Sequence, residues 1–104
     1  MIYASVMQLH PGYEAEYQRR HDDLWPDLRE HLKACGMRNY RIFLHPETLQ
    51  LFASFETDQP LDEARLKAAP VMQRWWDAMA DIMENRTDST EPFAIPLKEV
   101  FHLP

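Results

Sequence analysis

The chain has 104 residues, which suits one small domain (1–104) and leaves no room for a second core. Its 45% hydrophobic and 27% charged residues exclude disordered and collagen-like classes, and a single Cys35 excludes an intrachain disulfide framework. Gly12 and Gly36 stand too far apart to build a phosphate-cradling loop, and a net charge of -6 speaks against nucleic acid.

The opening residues MIYASVMQLH hold neither a basic n-region nor a cleavage signal. No apolar run approaches the ~20 residues of a membrane-spanning helix. The expectation is a reduced, cytoplasmic protein with no membrane partner.

From Met1 to Leu9, β-branched and aromatic residues mix with other apolar ones on both faces, as in a strand covered on two sides. His10-Pro11-Gly12 ends it. Residues 12–21 then place Tyr13, Tyr17 and His21 on one helical face. Pro26 suits the first turn of a second helix that runs through Leu28, Leu32 and Cys35, with Gly36 as its left-handed cap. Met37–Leu44 and Leu49–Glu56 form a hairpin about the turn His45-Pro46-Glu47-Thr48. In its first strand Arg38, Tyr40, Ile42 and Leu44 share one face and Met37, Asn39, Arg41 and Phe43 the other. Neither face is polar, so helices are expected on one side and another cover, such as a partner subunit, on the other.

Residues 58–69 read as a short polar helix, and Pro70 opens a stronger one whose apolar stripe is Met72, Trp75, Trp76, Met79 and Met83. Leu97–Leu103 alternates as a last strand. The order strand, helices, hairpin, helices, strand is the split βαβ of an α+β, ferredoxin-like fold.

Among candidate chemical groups, His21 carries the side chain whose ordinary pKa lies nearest neutrality. Tyr17 precedes it at i, i+4, so the two project together and are equipped to hold a polyhydroxylated ligand and move a proton on it. The same spacing suits a packing stripe in which the imidazole bonds a backbone carbonyl. Trp75 and Trp76 point about 100° apart, so both are buried only if the helix is nearly enclosed or if one lines a cavity. Tyr40 has the same ambiguity. His31 and Cys35 lie at i, i+4, yet a structural zinc needs about four ligands and no second pair is in range, so no metal is assigned. No GxSxG occurs, and of the many carboxylates only Glu56 and Glu99, on expected strands, stay in view.

The segments YQRRHDDLWPDL (17–28), NYRIFL (39–44), QRWWDAMADIM (73–83) and EVFHLP (99–104) together resemble the L-rhamnose mutarotase family over nearly the whole chain. That resemblance implies a cytoplasmic homodimer, a dimeric α+β barrel of ferredoxin-like subunits, that interconverts the anomers of L-rhamnose without a cofactor. It also implies that His21 is the proton donor and that Tyr17, Tyr40, Trp75 and Trp76 contact the sugar. The base is left unidentified. Residues 58–69 and 85–96 depart most from the family pattern. The rival readings are a non-catalytic dimeric barrel that binds a small ligand, and a cofactor-free monooxygenase or haem-binding member of the same architecture.

Overall fold

Alternating burial along the strand Gln50–Glu56 settles which side of the sheet is covered. The computed structural model describes residues 1–104 as β1 (Ile2–Gln8), α1 (Glu14–Asp22), α2 (Pro26–Ala34), β2 (Arg38–Leu44), β3 (Gln50–Glu56), α3 (Glu63–Ala68), α4 (Pro70–Met79), a 3-10 turn (Ala80–Ile82) and β4 (Ile95–Pro96). The four strands form one antiparallel sheet in the order β2-β3-β1-β4, the ferredoxin-like arrangement read from the element order. Ser5 faces Ala53 and Met7 faces Leu51, and the same rows continue to Ile42 and Leu44 on β2. Leu51 and Ala53 are buried, so this is the inner face. Onto it pack Tyr17 of α1, Met79 of α4 and Ile82 and Met83 beyond it, a cluster completed by Leu9 and Leu51.

On the outer face the register lines up Phe43, Phe52, Val6 and Ile95, one from each strand. Three of them are well exposed, Phe43 at 61%, Phe52 at 37% and Ile95 at 49%. No element of the chain lies over this apolar row. The chain exposes 7231 Å² in all, against about 6,100 Å² for a folded monomer of its 12.4 kDa.

Two expectations need correction. The last strand is not Leu97–Leu103 but Ile95–Pro96, and Leu97 adds one further bond, its N–H donating to Ala4 O at 2.9 Å. Register accounts for the far end: with Val6 opposite Ile95 and Ser5 opposite Pro96, Ile2 falls opposite Glu99 and Met1 opposite Val100, so β1 has no partner to offer Phe101 and the residues after it. Val100, Phe101 and Leu103 accordingly stand exposed. The second correction concerns Arg38, which does not share a face with Tyr40. A bulge between Arg38 and Arg41, with Asn39 at φ 50°, puts Arg38 opposite Glu56 on the outer face while Tyr40 turns inward.

Gly36 ends α2 at φ 86°, the left-handed conformation expected of it. Ile82 is fully buried at the centre of the core cluster. Ile82→Ala should therefore lower the free energy of unfolding by about 2–5 kcal/mol in urea titration; an unchanged midpoint would place this residue outside the core.

Candidate functional site

The site begins with α1. Acidic Glu14 and Glu16 occupy its first turn and Arg19, Arg20 and His21 its last, the distribution that complements a helix dipole. Arg20 then fixes the helix in place, since its guanidinium donates to Ala78 O at 2.8 Å and Asp81 Oδ1 at 3.1 Å, at the end of α4. Being next to Arg20, His21 is carried against the face of α4 that holds Trp75. The Tyr17 and His21 rings lie 4.3 Å apart, tilted by 31°, and Trp75 meets His21 edge-on at 5.4 Å and 87°. Trp25, immediately before α2, also packs edge-on with Trp75, at 5.2 Å and 85°.

Tyr40 arrives from the opposite wall. The bulge turns its ring onto Phe55 at 5.5 Å, and Phe55 stacks in turn on Tyr3 at 5.1 Å. An open cavity of about 800 Å³ lies between α1, α2 and the β2 edge of the sheet, with Tyr17, His21, Tyr40, Ile42, Met72 and Trp75 among its walls. A recess of about 90 Å³ shares those residues and adds Trp76, with Met7, Met79, Met83 and Pro92. Thus Tyr17, His21, Tyr40 and Trp75 converge on both spaces. Trp76 reaches only the recess, as its 100° offset from Trp75 requires.

Charge states follow from local contacts. His21 Nδ1 lies 2.9 Å from Tyr17 O, and a carbonyl only accepts, so Nδ1 carries the proton. In the neutral ring Nε2 is then an open acceptor. Burial pushes the His21 pKa below its ordinary value, opposed by the Tyr17 carbonyl bond and by Asp22. Burial pushes the Tyr17 phenol well up, with a smaller contribution from Tyr40, and burial also raises Tyr40. Tyr40 is 43% exposed as a whole residue and lines the open cavity, while the protein packed around its hydroxyl is enough to desolvate it. Neither hydroxyl bonds another residue of the chain, which leaves two neutral phenols available to a ligand.

The remaining candidates lie elsewhere. No group of three or more His, Cys, Asp or Glu side chains is placed to hold a metal ion. His31 Nε2–H donates to Leu66 O at 2.9 Å, with Cys35 Sγ 3.9 Å from the same ring, so His31 ties α2 to α3. Glu56 accepts from Asn39 and pairs with Arg38, and Glu99 is in the exposed terminal segment. Neither lines the cavity. Sequence reasoning missed Trp25; its one signal is its place directly before Pro26, where a helix start holds a side chain at a defined angle.

Fold and site together define a ferredoxin-like α+β domain with a small-molecule cavity built from aromatic rings around one imidazole. A model of the L-rhamnose mutarotase family matches residues 2–103. An L-rhamnose mutarotase of Rhizobium meliloti is 50% identical over 97% of this chain and 96% of its own length, and one from Opitutus terrae is 46% identical over 96% and 95%. The crystal structure of an L-rhamnose mutarotase from Formosa agariphila superposes with a TM-score of 0.89 at 39% identity, covering 100% of this chain and 99% of that one. A Nitrosomonas europaea protein assigned as an antibiotic biosynthesis monooxygenase shares the fold alone, at 11% identity, a TM-score of 0.61, and 96% and 91% coverage. The chain belongs to the L-rhamnose mutarotase family. Mutarotases are isomerases, so neither the non-catalytic barrel nor the monooxygenase reading is favoured.

The depressed His21 pKa has a consequence for stability. An unfolded chain takes up this proton before the folded one as pH falls, so the contribution is complete above 6.5 and is lost as pH drops through the lower folded value. Urea midpoints at pH 8 and pH 5 should therefore differ less in His21→Gln than in the unsubstituted protein. Equal differences would show that His21 is not a depressed group.

Proposed function

We propose that this single domain interconverts the α and β anomers of L-rhamnopyranose in the cavity described above, with His21 as the catalytic residue. The observation that carries the reading is the convergence of an imidazole that has an open Nε2 with two unpartnered phenols and an indole on one cavity. Anomer exchange breaks only the hemiacetal C–O bond and remakes it on the other face of the carbonyl. It needs proton transfer and room for the open aldehyde to turn, and it calls for no cofactor. His21 delivers the proton to the ring oxygen. Tyr17 and Tyr40 bind sugar hydroxyls, and the Trp75 ring covers the C–H face of the pyranose, with Trp76 beyond it in the apolar recess.

The reading extends to a homodimer, since the row Phe43, Phe52, Val6 and Ile95 has no cover within the chain and the exposed area exceeds that of a monomer this size. A second copy packing its own sheet there closes an α+β barrel and buries the row on both sides. No helix is long and apolar enough to cross a membrane; with a neutral sugar as substrate and the one cysteine free, the cytoplasm is the proposed location.

Saturation-transfer NMR between the two anomers tests the activity. The protein should accelerate exchange of L-rhamnose, and His21→Ala should lose about 10²–10⁴-fold of that acceleration. Exchange by His21→Ala at the unsubstituted rate would remove His21 from the chemistry. Sedimentation at micromolar concentration should give twice the chain mass, and a monomer there contradicts the barrel.

A further inference from the structure

We infer that His21 is also the base of this reaction: Nε2 takes the proton of the anomeric hydroxyl and returns it to the ring oxygen, so that one nitrogen performs both transfers. The inference rests on the mutarotase reading and supplies the group that reading lacks.

Two observations lead to it. The bond from Nδ1–H to the Tyr17 carbonyl fixes the tautomer, so the neutral ring presents Nε2 to the cavity as an acceptor with no proton to give. A donor in that state must first collect a proton, and ring opening itself releases one, that of the anomeric hydroxyl. The second observation is the absence of any competitor where cavity and recess meet. The only titratable groups common to both are Tyr17, His21 and Tyr40. Burial holds both phenols neutral, able to share hydrogen bonds but not to take a proton near neutrality.

Groups farther out do not change this. On α1, Glu14 accepts from Gly12 N–H at 2.9 Å, about two helical turns before His21. Asp22 projects about 100° away from its neighbour His21 and lines the cavity without reaching the recess. From α2 come Arg29 and Lys33 and from β2 Arg38, all cations with no acceptor to offer. What α4, β1 and β3 bring is uncharged: Met72, Trp75, Met7 and Leu51.

The step balances without another participant. Nε2 removes the O1 proton, the O1 electron pair forms the carbonyl, and the C1–O5 pair leaves onto O5, which takes the proton from the imidazolium. O1 and O5 share one carbon, so a group hydrogen-bonded to one needs little movement to reach the other. After rotation about C1–C2 the same nitrogen accepts the O5 proton, O5 closes on the other face, and the carbonyl oxygen is protonated. The imidazole ends as it began.

The pH dependence of kcat/KM for anomer exchange between pH 5 and 9, after subtraction of buffer and hydroxide catalysis, tests this on the unsubstituted protein. The expected profile rises tenfold per pH unit below a single ionisation and stays level above it. A bell shape would reveal a second group, and a rate that falls with pH would mean the imidazolium is needed at the outset; either overturns the inference while leaving the mutarotase reading intact. No acceleration at any pH overturns both. In His21→Ala, added imidazole should restore exchange in proportion to its neutral form, and rescue that follows the imidazolium contradicts the shuttle.

Discussion

His21 gives its Nδ1 proton to the carbonyl of Tyr17, one turn earlier on α1, at 2.9 Å. The bond costs the helix little, because the Tyr17 carbonyl oxygen has a second lone pair beside the one its helical bond uses, and it removes the rotational and tautomeric freedom an exposed imidazole would keep. The chemistry proposed for the cavity depends on that constraint. It leaves Nε2 without a partner in the chain, and burial beside Trp75 favours the uncharged ring.

The constraint holds because the surrounding packing is shared between core and site. Tyr17 is 8% exposed and belongs to the cluster around Ile82, yet it also walls both cavities. The packing reading of the Tyr17/His21 stripe holds, with Tyr17 in the core cluster and the imidazole bonded to a backbone carbonyl, and the same two side chains also line the cavity. Trp75 rests on the core cluster while its ring meets both His21 and Trp25 edge-on. A site made of core residues gains rigidity without extra elements, which is how 104 residues suffice.

The helices, the hairpin and the strand order were legible in the chain because each is set by local signals: Pro26 and Pro70 at helix starts, Gly36 at a helix end, the turn His45-Pro46-Glu47-Thr48 between two apolar runs, and the β-branched and aromatic run of β1. The last strand was not legible, since alternation continues through Leu97–Leu103 while β1 has no residue to set opposite Phe101 and beyond, a long-range fact of register. The bulge at Asn39 was hidden for a similar reason: strict alternation assigns Arg38 and Tyr40 to one face, and only the sheet shows the extra residue. At the site, helical spacing brings Tyr17 to His21, but the approach of Tyr40 and the edge-on contact of Trp25 depend on how separate elements pack. Resemblance to the family supplied Tyr40 and Trp75 as sugar contacts where periodicity left them undecided.

The central claim is a protonation state, and long-range ¹H–¹⁵N NMR reads it directly on the His21 ring at pH 7.5. The account predicts a neutral imidazole protonated at Nδ1, with its Nε2 resonance shifting when L-rhamnose is added. A ring protonated at Nε2, or an imidazolium at that pH, would contradict it.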